Sequence, residues 1–493
     1  MNLQIRRLFF FFSFLFVALV GIGSYWLWRA PDLEARQGNP NLVVRQLTIK
    51  RGLVYAADGR TVLARNRPRE VRGRTWYLRT YPQRGLAAHV VGYSTIERSR
   101  TGLERSLNDY LTGSNANLRT VVDRTLDQLR GLTQQGNDVV TTLDSRAQRV
   151  ALDALGGRCG AVVALEPATG RVLVMASSPT YDPNLVERSF RRIEQASGPC
   201  QSASVLFNRA TQGPFFTPGS TFKVVTATAA LDSGRFTPES TFQDPGYCLE
   251  YGRRVFNYAD QSGPSVYGTV DFGEAVENSI NSVFCELGKR LGVRRVLDYA
   301  KRFGFYEDPP LETPGSERDA SGLYQHGKLF DPRDPNAVDP GRLAFGQERL
   351  RVTPLQMAMV AATVANDGVL MEPHVVERIL APDGDVVTRT EPDELRRVMS
   401  EDTAAALTTM MVRVVESGTG TAAQISGVEV AGKTGTAETG RENANDTGFI
   451  AFAPAGDSKA AIAVFLQNQD GTGGSTAAPI AKAVLEALLK RSA

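Results

Sequence analysis

Residues 8–28 form an uncharged, mainly apolar stretch rich in Phe, Leu and Val, about 21 residues long, which matches a helix crossing a bilayer core. Beyond it the apolar positions fall into short runs separated by breakers. Leu42-Val43-Val44 and residues 52–55 read as extended, Asp58-Gly59 as a turn and residues 102–111 as a helix. From Asp138 the texture changes, with a strand at 139–143 and a helix at 145–155. Two apolar runs, 160–165 and 171–176, flank the turn-like Glu166-Pro167-Ala168-Thr169-Gly170 and predict a hairpin. Further strands are predicted at 447–452 and 460–465, and a closing helix at 477–489 places Ile480, Val484, Ala487 and Leu488 on one face. Strands at both ends of this region with helices between them imply an α+β unit whose sheet joins its first and last segments.

Arg6 and Arg7 precede the apolar stretch, which keeps the N-terminus cytoplasmic, and Tyr25, Trp26 and Trp28 sit where an interfacial aromatic belt belongs. A cleaved signal peptide is the rival reading, but the run is long for one and bulky residues stand in place of a small-residue cleavage site. The chain thus divides into a cytoplasmic tail (1–7), a transmembrane anchor (8–28), a polar linker (29–41), an N-terminal module (42–138) and a larger domain (139–493), the last two extracytoplasmic. With 56 basic and 53 acidic residues, a formal charge of +3, there is no case for a nucleic-acid partner. Short basic clusters such as Arg67-Pro68-Arg69 and Arg72-Gly73-Arg74 read as solvated surface. Cys159, Cys200, Cys248 and Cys285 lie where disulfides can form, and all three pairings stay open; Cys285, in an apolar helical stretch, reads equally as a plain buried thiol. The cysteine spacings lack a CxxC, and His89, His326 and His374 are scattered, so neither metal nor cofactor is expected.

Three short segments carry chemistry. Ser220, after Pro218-Gly219, stands at the start of an apolar helical run with Lys223 one turn further on the same face. A lysine can take the proton of a serine hydroxyl if burial or a second cation disfavours its own charge. Ser279 and Asn281, in Ser279-Ile280-Asn281, precede another helix, where an N-cap role for Ser279 is the plainer alternative. Lys433, Thr434, Gly435 and Thr436 supply positive potential, hydroxyls for a substrate carboxylate and a glycine that permits close backbone approach. Each alone is a weak signal. The order Ser-x-x-Lys, Ser-x-Asn, Lys-Thr-Gly is that of the penicillin-binding proteins and class A β-lactamases.

The chain resembles the penicillin-binding transpeptidases over nearly its whole length, also through Phe207-Asn208-Arg209-Ala210, residues 343–347 and residues 352–358. Arg51-Gly52, Asp58-Gly59 and Gly102-Leu103-Glu104 resemble the dimerisation or pedestal module of class B members. The stretch 443–449 departs by lacking an aromatic pair before its strand. The resemblance implies a transpeptidase fold, an antiparallel sheet flanked by helices, carried on a mainly β pedestal and one transmembrane helix. It also implies a D,D-transpeptidase acting on D-Ala-D-Ala stem peptides of peptidoglycan and acylated by β-lactams. In that chemistry Ser220 is the nucleophile, Lys223 its base, Ser279 a proton relay, and Asn281 a holder of Lys223 and of the substrate amide. Lys433 keeps Lys223 partly neutral, Thr434 and Thr436 bind the carboxylate, and the amides of Ser220 and Thr436 form the oxyanion hole. A membrane glycosyltransferase of the shape, elongation and division family is the implied partner. A D,D-carboxypeptidase or β-lactamase-type hydrolase and a non-catalytic β-lactam sensor or scaffold are the alternatives.

Overall fold

A computed structural model describes residues 3–34, 47–71, 73–96, 100–115, 134–196, 200, 204–213, 216–257, 259–260, 263–438 and 444–490. The apolar stretch lies in helix α1 (Leu3–Glu34), in which Gln4–Tyr25 is long and apolar enough to cross a membrane. The helix runs on through Glu34 rather than stopping with the apolar residues at 28, because polarity alone does not end a helix. The rest of the expected linker, Leu42-Val43-Val44, Arg72 and Asn443 lie outside the described residues.

Four strands follow: β1 (Val54–Tyr55), β2 (Val62–Val71), β3 (Arg74–Thr80) and β4 (Asp138–Thr141). β1 pairs antiparallel with β2 and parallel with β4, and β2 pairs with β3. Glu104 ties this module together: its carboxylate takes the guanidinium of Arg51 at 2.7 Å and that of Arg79. Burial alone would raise its pKa, but the two guanidinium charges hold it below the usual carboxylate range. The helix expected over 102–111 is broken in two, Gly102–Ser106 and Asn108–Leu111. Arg51 occupies the Glu104 carbonyl and the Asn108 side chain, so the carbonyl that a continuous helix would give to the Asn108 amide is already engaged.

Helix α2 (Ser145–Leu155), capped by the Asp144 carboxylate, leads into the hairpin of β5 (Gly160–Leu165) and β6 (Val172–Ser178). Helix α3 (Lys223–Leu231) is buried along its whole length; its Ala and Thr residues allow close packing, and the Thr226 and Thr228 hydroxyls donate to carbonyls of Ala344 and Val224. A small hairpin, β7 (Tyr247–Glu250) with β8 (Arg253–Phe256), precedes helix α4 (Asn281–Leu291). The mainly apolar, almost wholly buried helix α5 (Pro354–Ala365) lies under the sheet formed with the hairpin strands. β9 (Val376–Leu380) and β10 (Val386–Arg389) turn back to complete a six-stranded sheet in the order β10-β9-β4-β1-β2-β3.

β11 (Ala431–Glu438), β12 (Asn445–Ala453) and β13 (Ala460–Gln469) then join the early hairpin in a five-stranded antiparallel sheet, order β11-β12-β13-β5-β6. The first and last segments do share one sheet, with helix α6 (Ala478–Leu489) packed on it alongside α2. Cys159 and Cys200 form a disulfide, and Cys248 and Cys285 are free.

Candidate active site

β11 is an edge strand, and the turn Gly219–Phe222 that opens α3 lies against it. Two glycines make that approach possible. Gly219 has φ +51°, and a Cβ there would come within 2.8 Å of the Thr436 carbonyl; a Cβ at Gly435 would come within 2.6 Å of the Pro218 carbonyl. Gly219 also donates its amide to the Gly346 carbonyl at 3.0 Å, so the segment 343–347 buttresses the turn. Ser220 sits in this turn, half-buried, and its hydroxyl has no hydrogen-bond partner among the described residues.

The three distant segments meet around two amines. Lys223 Nζ, 1% exposed, donates to the Ser279 carbonyl and to Asn281 Oδ1, both at 2.7 Å, and lies 3.3 Å from Ser279 Oγ. A neutral amine has two N–H donors, which the two close acceptors satisfy, leaving its lone pair for a hydroxyl. Lys433 Nζ, fully buried, donates to Ser279 Oγ at 2.9 Å and to the Thr434 carbonyl at 3.2 Å. Burial depresses both amines: Lys433 to about 7, and Lys223 well below its ordinary value, where the neighbouring Lys433 charge adds to desolvation. The Phe284 ring, 5.0 Å from Lys223 Nζ, closes the apolar side.

Ser279 is not a helix cap. Ile280 holds the N-cap position without a side-chain hydrogen bond, while Ser279 sits at φ +59° with its hydroxyl between the two amines. A non-glycine residue in that conformation costs of order 1–3 kcal/mol, which the hydrogen bonds around it offset. Asn281 Nδ2 donates one hydrogen to the Phe256 carbonyl at 2.9 Å, tying β8 to the site.

Thr434 Oγ1 is paired with Thr419 Oγ1 at 2.7 Å, and Thr436 Oγ1 accepts the Gly473 amide at 3.1 Å. Thr419 and Gly473 were not foreseen; neither belongs to a local motif, and both arrive by tertiary packing. The same holds for Asp446, whose carboxylate accepts the Thr217 amide and which burial pushes up to about 6, and for Arg351, which donates to Thr217 Oγ1. Glu166 accepts the Thr169 hydroxyl within its turn, as its sequence position suggests, and His89 Nε2 donates to the Val205 carbonyl in the core.

A serine hydroxyl at an edge strand, beside two depressed amines bridged by a second hydroxyl, defines a site for acyl transfer through a serine ester. Residues 160–486 match the family model for the penicillin-binding protein transpeptidase domain, and residues 51–139 that for the penicillin-binding protein A dimerisation domain. The peptidoglycan D,D-transpeptidase PbpA of Mycolicibacterium smegmatis is 34% identical over 99% of both chains. That of Mycobacterium tuberculosis H37Rv is 35% identical, covering 94% of this chain and 93% of its own. The M. tuberculosis penicillin-binding protein A in its ceftriaxone acyl-enzyme complex superposes with a TM-score of 0.78 at 34% identity, over 90% of this chain and 100% of that one. The chain belongs to the penicillin-binding proteins, in their class B.

Proposed function

We propose that this protein cross-links peptidoglycan as a serine D,D-transpeptidase, with Ser220 as nucleophile. The observation that carries the reading is the convergence of Lys223, Ser279, Asn281 and Lys433 beside the turn that presents Ser220. Lys223, neutral through burial, takes the Ser220 proton as the Oγ–carbon bond forms at the penultimate D-Ala carbonyl. The Ser220 and Thr436 amides stabilise the developing oxyanion, a contribution of about 3–4 kcal/mol per donor in comparable enzymes. Ser279, bridging the amines, returns the proton to the departing D-Ala nitrogen as the peptide bond breaks. Asn281 fixes Lys223 and offers its remaining N–H to the substrate amide. Lys433, Thr434 and Thr436 receive the terminal carboxylate, with Gly435 letting the strand come close. An acceptor amine then attacks the ester, restoring the Ser220 hydroxyl. A β-lactam follows the first step and remains attached.

The boundary between pedestal and catalytic domain is drawn at 138/139, within β4, and β9 and β10 of the larger segment return to complete the pedestal's sheet. The apolar helix with Arg6 and Arg7 at its start supports a single-pass anchor with the N-terminus cytoplasmic. An anchored pedestal suits a membrane glycosyltransferase of the shape, elongation and division family as partner. Incubating the full-length protein in detergent with a D-Ala-D-Ala stem peptide and a fluorescent D-amino acid should yield the exchanged peptide. Free D-Ala without exchange would assign it to the carboxypeptidases, and a penicillin adduct with neither product would make it a sensor.

A further inference from the structure

Between β7 and α4, two thiols and a carboxyl, buried except for the half-buried Cys248, have no part in the chemistry above. Cys248 on β7, Glu250 at the end of the same strand and Cys285 on α4 place their ligand atoms within 4.8 Å of one another. The Cys285 thiol donates to Glu250 Oε1 at 2.5 Å. Asp339, buried nearby, caps the short helix Pro340–Ala344 by accepting the Arg342 amide at 2.8 Å. Gly341 leaves the space: a Cβ there would meet Glu250 Oε1 at 2.5 Å and Cys285 Sγ at 2.8 Å.

Two thiols and a carboxyl from two elements are thus brought together, with the Cys285 proton shared with Glu250. Among the described residues the compensating charge comes from Lys289, 47% exposed, whose ammonium reaches Glu250 Oε1 at 2.8 Å and donates to the Leu249 carbonyl at 3.1 Å. We propose that Cys248, Glu250 and Cys285 bind a divalent cation of borderline softness, Zn2+, between β7 and α4, with solvent as the fourth ligand. A tetrahedral zinc with Zn–S near 2.3 Å and Zn–O near 2.0–2.2 Å spaces its ligand atoms by roughly 3.6–3.8 Å, inside the observed span. The Glu250 oxygen would retreat from Cys285 Sγ by about 1 Å, a side-chain rotation, to reach that spacing. Entry of the ion releases the two thiol protons, with no change of oxidation state. The sequence hides the site because its ligands lie on separate elements, with no paired-cysteine spacing. The ion would pin the β7–β8 hairpin, whose Phe256 carbonyl holds Asn281, to the helix that Asn281 begins.

The test uses full-length protein in detergent, purified with reductant and chelator, dialysed against ZnCl2 and then against metal-free buffer, with retained metal measured by elemental mass spectrometry. Wild type should retain one equivalent, and Cys248→Ser should retain little while still taking up fluorescent penicillin, which shows that it is folded. A Co2+-loaded sample should show thiolate-to-cobalt charge transfer that Cys248→Ser lacks. Equal zinc in both proteins, no retained zinc in either, or a Cys248–Cys285 disulfide in protein isolated from the cell without reductant would overturn the proposal.

Discussion

Lys223 and Lys433 touch the same hydroxyl, yet their surroundings assign them different charges. Lys223 loses its proton to burial and to the neighbouring cation, whereas Lys433, depressed to about 7, is still charged in mildly acidic solution. The second-order rate of penicillin acylation should therefore fall on the acid side as Lys223 protonates and decline again as pH rises through about 7 and Lys433 loses its attraction for the carboxylate. In Lys433→Arg, which keeps its charge, the alkaline limb should vanish from the accessible range, with a lower maximum because a planar fork replaces a point charge. An unchanged limb would assign it to another group. Lys223→Ala should slow acylation by about 10²–10⁴, the usual worth of a positioned base. The same depression acts on stability: as pH falls from 10.5 the unfolded chain takes up a proton that folded Lys433 refuses until about 7, so native stability declines over that window and not below it. The reactive residues were legible because Ser220 and Lys223 sit one turn apart on one helix and the other two segments keep a local pattern. Thr419, Gly473, Asp446 and Arg351 were not, since each acts through contacts with residues far along the chain.

Among the elements, the edge strand and the nucleophile turn depend on glycines that let two backbones touch. Gly219→Ala should cost about 1–3 kcal/mol from its left-handed backbone alone and, by pressing on the Thr436 carbonyl, slow acylation beyond what the stability loss explains. A denaturation midpoint together with a labelling rate separates the two effects. In the pedestal, Glu104→Gln leaves Arg51 and Arg79 buried with a neutral partner and should destabilise by about 3–5 kcal/mol. The long apolar strands β5, β6, β12 and β13 were readable because each is buried on both faces. β7, β8, β9 and β10 were not, being short and half-exposed, and nothing local tells β9 that its partner is β4.

For the molecule as a whole, the catalytic sheet closes only when its last strand meets its first hairpin, so the fold depends on contacts between the two ends of the domain. The Cys159–Cys200 bridge lies just before that hairpin, with a sequence separation of 41. A loop of that length restricts the unfolded chain by about 4 kcal/mol, so reduction should lower the melting temperature; an unchanged melting point would show that the two thiols are not joined in the mature protein. The pairing itself could not be chosen from four cysteines in a sequence, because it depends on which β-strand end and which loop the sheet brings together.

Everything in the chemistry turns on a covalent ester at one hydroxyl, and intact-mass measurement of the full-length protein after exposure to penicillin G reads it directly. Wild type should gain the mass of one antibiotic molecule, located by peptide mapping to Ser220, and Ser220→Ala should gain none while keeping its melting temperature. An adduct of equal yield on the folded Ser220→Ala protein, or one mapped to another residue in wild type, would contradict the mechanism.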